Sequence, residues 1–110
     1  MRRGDVVVIA DRAGGDYVGK PRPAIIVQSD VFDGTESLVV CPLTTRQRDA
    51  QLLRVPLAPG AGLRLQEPSW IMVDKLTSVR RDRVREVLGR PSDEELLALT
   101  RSLAVFLGFA

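Results

Sequence analysis

Short apolar runs separated by glycine-rich or polar turns dominate the first 80 residues of the chain. Their short length and their content of β-branched residues are typical of strands rather than helices. Asp33-Gly34 is a hairpin-turn signal, and Pro42 is predicted to stop the run that contains it. The five predicted strands are 4–10, 23–30, 37–43, 52–57 (a strand or edge segment) and 68–79.

The pattern changes to helical spacing at residue 92. Ser92 and Glu95 form an S-x-x-E capping box, which predicts the start of a helix, and Gly108 is a suitable stop. RRDRVREVLG (80–89) fits either a short helix or a further strand. Strands followed by one helix predict an antiparallel β-barrel or curled sheet plugged by that helix. The predicted apolar stripe of the helix consists of Leu96, Leu99, Leu103, Phe106 and Leu107.

Composition restricts the chemistry that is open to the chain. With 110 residues, it is expected to form a single domain over 1–110. There is no histidine and one cysteine, Cys41, which excludes Ser-His-Asp and Cys-His catalysis, an internal disulfide and a metal site of cysteine and histidine. A single cysteine fits a reducing cytosol, and no apolar run approaches the ~20 residues of a membrane span. We therefore expect a cytoplasmic protein without membrane association.

Most of the positive charge is carried by arginine. The net charge is +2 and the isoelectric point about 9.2, and Lys20 and Lys75 are the two lysines among 16 basic residues. Arginine suits bidentate contact with phosphate, although genomic base bias gives the same composition. The charge favours an anionic partner.

Arg22 lies between two prolines, Pro21 and Pro23, directly before the apolar residues of the second predicted strand. Proline fixes φ and biases its neighbours away from the helical region. Arg22 is therefore predicted to lie at a rigid junction between a loop and a strand. Such a support suits an arginine that must be aimed before its substrate arrives, while an ordinary surface loop would give the same sequence.

Several blocks in order, at their mutual spacing, carry a resemblance over nearly the whole chain: RRGDVVVIAD, GKPRPAIIVQSD, SLVVCPLTT, WIMVDKLTSV and the closing SLAVFLGFA. With these blocks the chain resembles the MazF/PemK family of toxins from bacterial toxin–antitoxin pairs. The resemblance implies an SH3-like barrel of the CcdB/MazF type, a homodimer and an antitoxin partner. It also implies cleavage of single-stranded RNA at short sequences without a metal or other cofactor.

The resemblance assigns roles to individual residues. Arg22 matches the family's catalytic arginine, and Thr44, the first threonine after CPL, matches its catalytic threonine. Lys75 falls at an RNA-contacting position of the predicted fifth strand, although an ion pair with neighbouring Asp74 is an alternative. The full set of RNA-binding candidates is Asp16, Tyr17, Lys20, Thr45, Arg46, Arg48 and Lys75. Within it, Tyr17 is a candidate for base stacking, and Arg46 and Arg48 either contact phosphates or form a solvated loop.

These residues suit a reaction in which RNA supplies its own nucleophile, the 2′-hydroxyl. An arginine fork neutralises charge on the phosphoryl oxygens, and a threonine hydroxyl donates a further hydrogen bond. The resemblance implies products with a 2′,3′-cyclic phosphate and a 5′-hydroxyl. The group that accepts the 2′-hydroxyl proton stays open, with Asp16 as a candidate.

Two alternatives share the predicted fold. A gyrase poison of the CcdB kind needs no phosphate-facing pair, so Arg22 together with Thr44 favours the ribonuclease. A binding module of the SH3-like type without catalytic activity is the third possibility.

Overall fold

The computed structural model describes residues 1–10, 21–47, 49 and 52–110. Within those residues the chain forms seven strands, three short 3₁₀ turns and one α-helix. The strands are β1 (Val6–Ile9), β2 (Arg22–Ile26), β3 (Ser37–Thr44), β4 (Arg54–Leu57), β5 (Ser69–Met72), β6 (Thr77–Arg80) and β7 (Val84–Gly89); the turns are Asp30–Phe32, Val73–Lys75 and Arg81–Arg83; the helix is α1 (Asp93–Phe106).

All strand pairs are antiparallel, and the long strand β3 lies at the centre of the sheet. The order is β4-β5-β3-β2-β1-β7, and β6 also pairs with β3. Residues 37–40 of β3 pair with β6, whereas Leu43 and Thr44 pair with β5. Because β3 changes partner along one edge, the sheet curls. This confirms the predicted fold class of a curled antiparallel sheet with a C-terminal helix, although the described strands do not close into a barrel. One isolated bridge, Leu63 to Gly89, joins the segment after β4 to β7.

Three local predictions were wrong or incomplete. Strand β3 continues through Pro42 to Thr44, because residues 41 and 42 lie between the partners β6 and β5, so the missing N–H removes no ladder bond on that edge. The predicted fifth strand, 68–79, is divided by the turn Val73–Lys75, since its two halves pair with different parts of β3. Residues 80–89 comprise the last residue of β6, the turn Arg81–Arg83 and strand β7, which pairs with β1.

Helix α1 begins as predicted. Ser92 Oγ accepts a hydrogen bond from the Glu95 N–H at 3.2 Å, and Glu95 Oε1 accepts one from the Ser92 N–H at 2.9 Å. Leu99 and Leu103 are buried, but Phe106 is 43% and Leu107 48% exposed. The predicted apolar stripe therefore packs against the first core cluster at Leu96, Leu99 and Leu103 and is exposed at its C-terminal end. No helix in the described part of the chain has the length and apolar character needed to cross a membrane.

The buried side chains form two clusters that follow strand alternation. Val6 of β1 belongs to one cluster and Val7 to the other, and Ile25 and Ile26 of β2 divide in the same way. Successive residues of a strand point to opposite faces, so both faces of the curled sheet are packed. Helix α1 covers the first cluster through Leu99 and Leu103. This packing leaves the start of β2 and the end of β3 at the surface.

Candidate functional site

The start of β2 and the end of β3 form one side of a pocket of about 430 Å³. Arg22 is the first residue of β2 and Thr44 is the last of β3. Since β2 and β3 are antiparallel neighbours, these two ends meet at the same edge of the sheet. The other residues that line the pocket are Pro21, Pro23, Leu43, Thr45, Arg46, Ser69 and Met72. The structure therefore brings together the two residues that the sequence singled out as catalytic.

Arg22 has a fixed backbone and an exposed side chain. Arg22 lies opposite Ile9 of β1, and Pro23 lies opposite Val8. The predicted loop-to-strand junction is confirmed, because the strand begins at Arg22 itself, directly after Pro21. The backbone of Arg22 is thus fixed in the sheet, while its side chain is exposed and lines the pocket.

Thr44 is half-buried and lies opposite Trp70 of β5. Its Oγ1 accepts a hydrogen bond from the Arg46 N–H at 3.1 Å, so it caps the following loop. A hydroxyl can accept two hydrogen bonds and donate one, and this bond uses only an acceptor position. Capping fixes the orientation of the side chain and is compatible with donation of the hydroxyl proton to a ligand.

The pocket is positively charged. Arg22 and Arg46 both line it, and no carboxylate among the described residues does so. The ion pairs within the described part of the chain are formed by Arg54, Arg80 and Arg90, so neither lining arginine is neutralised by a described acid. Two guanidinium groups and two threonine hydroxyls, those of Thr44 and Thr45, match the requirements of a phosphate diester.

The other predicted RNA-binding residues divide into three groups. Thr45 and Arg46 line the pocket. Lys75 is exposed at the end of the turn Val73–Lys75, not within a strand, and lies outside the pocket lining. Its neighbour Asp74 forms an ion pair with the largely buried Arg54. The carboxylate of Asp74 thus has a different partner from Lys75, the one considered from the sequence. The remaining candidates, Asp16, Tyr17, Lys20 and Arg48, fall outside the described residues.

A second cavity of about 470 Å³ adjoins the pocket. Pro21, Pro23, Thr45 and Ser69 line both spaces and form the wall between them. The remaining lining residues are Val8, Arg64, Leu65, Gln66, Glu67, Glu86 and Leu88. Sequence reasoning missed this cavity, as well as Ser69 and Met72 of the pocket. The cavity residues come from β1, β7 and the segment before β5, and no single stretch of sequence indicates that they meet.

Cys41 takes no part in either space. It is fully buried in the first core cluster. Burial, followed by the negative charge of Asp74, raises the pKa of its thiol to about 12. The thiol is therefore protonated at neutral pH and is a poor nucleophile, and Cys41 acts as a small apolar residue of the core.

A known protein family and a relative of known name both match nearly the whole chain. A family described as "PemK-like, MazF-like toxin of type II toxin-antitoxin system" matches residues 2–107. A relative from Mycolicibacterium smegmatis named "Probable endoribonuclease MazF" is 44% identical over 110 residues, which cover 100% of this chain and 99% of the relative.

Solved structures agree in fold. An endoribonuclease in complex with its cognate antitoxin from Mycobacterial species superimposes with a TM-score of 0.80 at 22% identity, over 100% of this chain and 97% of that chain. A MazE-MazF crystal structure from Deinococcus radiodurans gives a TM-score of 0.76 at 22% identity, over 100% of this chain and 98% of that one. At these identities the structural similarity supports the fold alone.

Proposed function

The chain belongs to the PemK-like, MazF-like family of toxins of type II toxin–antitoxin systems, it is an endoribonuclease, and we propose that it cuts single-stranded RNA in the pocket of Arg22 and Thr44. The observation that carries the proposal is that both residues line one positively charged pocket. The endoribonuclease name of the relative that is 44% identical also favours this activity over gyrase poisoning.

In the proposed reaction, the 2′-hydroxyl oxygen attacks the adjacent phosphorus. The new O2′–P bond forms as the P–O5′ bond breaks, a base removes the 2′-hydroxyl proton, and a proton is delivered to the leaving 5′-oxygen. Arg22 holds the non-bridging oxygens as their negative charge increases, and the Thr44 hydroxyl donates to the same oxygens. The products are a 2′,3′-cyclic phosphate and a 5′-hydroxyl, and no metal or cofactor takes part.

Arg22 and Thr44 contribute charge stabilisation and orientation rather than proton transfer. An arginine stays protonated in proteins, and a threonine hydroxyl is a weak base. The proton acceptor is therefore a different group, and Asp16 is our candidate from the sequence. By resemblance, Asp16 lies near the family's acidic loop position, and a carboxylate is a usual general base when histidine is absent.

We propose that the RNA backbone extends from the pocket across further polar residues. Thr45 and Arg46 lie in the pocket itself, and Lys75 is exposed on the turn that follows β5. Asp16, Tyr17, Lys20 and Arg48 complete the proposed RNA-binding set on the basis of the family resemblance.

The chain is proposed to act as one toxin domain over residues 1–110, in the cytoplasm, as a homodimer silenced by an antitoxin protein. Val105, Phe106, Leu107 and Phe109, at the end of α1, are between 43% and 82% exposed, and Leu52 is 70% exposed. Exposed apolar side chains in such a group are typical of a protein–protein contact. Reaction with mRNA and synthesis of the antitoxin both take place in the cytoplasm, which suits the single free cysteine.

The test is incubation of the purified protein with a long single-stranded RNA in the presence of EDTA. We expect discrete cuts whose upstream fragments end in a cyclic phosphate, and loss of these cuts in Arg22→Ala. Arg101→Ala is a matched control, because Arg101 is exposed on α1 and lines neither of the two adjoining spaces. Absence of cleavage at any protein concentration, or equal cleavage by Arg22→Ala, would contradict the proposed function.

A further inference from the structure

The cavity beside the Arg22 pocket has a regular floor. Val8 of β1 lies opposite Pro23 of β2 on one side and opposite Glu86 of β7 on the other. These three residues therefore form a row across three paired strands, and all of them line the cavity. A row on paired strands is held by backbone hydrogen bonds, so the floor is formed before any ligand binds.

The opposite wall is also anchored to the sheet. The Arg64 N–H donates to the Leu88 carbonyl at 2.9 Å, and Arg64 Nη2 donates to the Val87 carbonyl at 2.6 Å. Ser69, which is only 4% exposed, donates from Oγ to the Glu67 carbonyl at 3.1 Å. The segment that carries Gln66 and Glu67 is thus fixed at both ends against the wall shared with the Arg22 pocket.

The charges of the two spaces have opposite signs. Among the described residues, the cavity is lined by two carboxylates, Glu67 and Glu86, and one arginine, Arg64, which donates to a β7 carbonyl. The neighbouring pocket has two arginines and no described carboxylate. A phosphate is attracted to the pocket and repelled by the cavity. The cavity therefore suits a neutral part of the RNA that lies next to the scissile phosphate.

The chemistry of the lining identifies that neutral group. Pro21, Pro23, Leu65 and Leu88 offer apolar surface against the face of a ring. An ionised carboxylate can only accept hydrogen bonds, so Glu67 and Glu86 match a base whose edge carries N–H donors. Adenine, cytosine and guanine carry an exocyclic amino group and uracil does not, and unstacked RNA bases are read along such edges. The volume of about 470 Å³ falls within the range of about 300–1,000 Å³ for small-ligand sites.

We propose that this cavity is a base subsite that selects an amino-bearing base next to the scissile phosphate, with Glu67 and Glu86 as acceptors from its amino group. The inference rests on the proposed function, because the position of the phosphate in the Arg22 pocket sets which base reaches the cavity. It makes Glu67 and Glu86 residues that determine specificity rather than residues that take part in bond cleavage.

The test uses a short RNA that contains one site cut by the parent protein. The nucleotide on each side of the scissile phosphate is varied through all four bases, and then through analogues without the amino group: purine riboside for adenosine, 2-pyrimidinone riboside for cytidine and inosine for guanosine. At one of these positions we expect kcat/KM to fall by about ten-fold on removal of the amino group, a usual contribution of a specific base contact.

Two variants identify the acceptor, and one is a control. Because the side-chain oxygen of glutamine still accepts hydrogen bonds, the acceptor is removed with Glu67→Ala or Glu86→Ala. In at least one of these variants, the loss caused by removing the amino group should shrink to less than about two-fold, because the two changes remove the same interaction. Glu36→Ala removes an exposed carboxylate that lines neither space, so it should keep the ten-fold dependence of the parent. Thermal unfolding and circular dichroism establish that each variant is folded. A reduced dependence on the amino group in either of the two variants is sufficient to support the base subsite.

The outcomes separate this inference from the proposed function. If the parent cuts RNA but its rate does not depend on the amino group at either position, the base subsite is overturned while the nuclease stands. The same follows if both alanine variants, Glu67→Ala and Glu86→Ala, keep the full dependence, or if they alter the cleavage of all sequences equally. A parent that cuts no RNA overturns both.

Discussion

Two neighbouring spaces share one wall in this protein and yet differ in almost every other respect. Among the residues that the structure describes, the pocket of Arg22 has two arginines and two threonine hydroxyls, whereas the cavity on the other side of Pro21 and Pro23 has two carboxylates, Arg64 and apolar surface. The first suits a phosphate and the second suits a base. Opposite charges on the two sides of the shared wall would let a single nucleotide be held by two different kinds of contact, as we propose.

The two spaces also differ in how the chain builds them. The catalytic candidates of the pocket stand at the beginning of β2 and the end of β3, which are consecutive strands. The cavity combines β1, β7 and the segment 64–69, which are far apart in sequence. The residues of the Arg22 pocket could therefore be predicted from short sequence blocks, whereas those of the cavity could be identified only from the folded sheet.

The largest expected effect is that of Arg22→Ala on cleavage. Removing the charged donor from the pocket should lower single-turnover cleavage by about a thousand-fold, within the range for loss of a transition-state donor. Arg22→Lys keeps the charge but not the bidentate geometry, so it should recover only part of the rate. Because Arg22 is exposed, the melting temperature should change little. Near-normal cleavage by Arg22→Ala would show that the Arg22 pocket is not the place where the RNA is cut.

Thr44→Val should have the next largest effect. It keeps the shape of the side chain but removes the hydroxyl, and we expect about a hundred-fold slower single-turnover cleavage. Loss of the hydrogen bond from the Arg46 N–H should also lower the free energy of unfolding by about 1 kcal/mol, measured by denaturant titration. Thr44→Ser retains the hydroxyl and serves as the control. A normal rate in Thr44→Val would restrict Thr44 to capping the loop.

Salt dependence of RNA binding should distinguish the two spaces directly. With an RNA that carries a 2′-deoxy nucleotide at the cut site, Arg46→Gln should weaken binding and reduce the slope of log K against log salt by about 0.7, the value for one phosphate contact on a single strand. Glu67→Gln should leave that slope unchanged, because a base contact releases no counterion. Equal slopes for the parent and Arg46→Gln would place Arg46 in the solvated loop.

The smallest effect is expected at Cys41, which faces neither space. Because the thiol is fully buried and its pKa is raised to about 12, iodoacetamide at pH 8 should neither modify the folded protein nor change its activity. Mass spectrometry should show addition of a single alkyl group after unfolding, since the chain has one cysteine. Rapid modification of the folded protein with loss of cleavage would show that the core beneath the pocket opens.

Local signals predicted much of the fold. The capping box at Ser92 and the β-branched runs depend on neighbours in sequence, and α1 and β1 formed where these signals placed them. The prediction for β2 was correct at its start but not at its end, because the strand stops at Ile26 rather than at residue 30. Other errors occurred where distant partners decide. Strand β3 passes through Pro42 and the segment 68–79 is divided, because β3 pairs with β6 and β5 in succession. The exposure of Phe106 likewise depends on packing between elements, which the spacing of apolar residues along the helix does not determine.

The order of short strands and one helix, the prolines beside Arg22 and the spaced blocks of the family can all be recognised along the chain, so the fold class, the strand start at Arg22 and the family were predictable from the sequence. The folded chain was needed to show that Arg22 and Thr44 line one pocket, that Lys75 lies on a turn, and that Glu67 and Glu86 line one cavity behind the same wall. Such meetings depend on strand order and register, which are set by packing across the whole sheet and not by any local pattern.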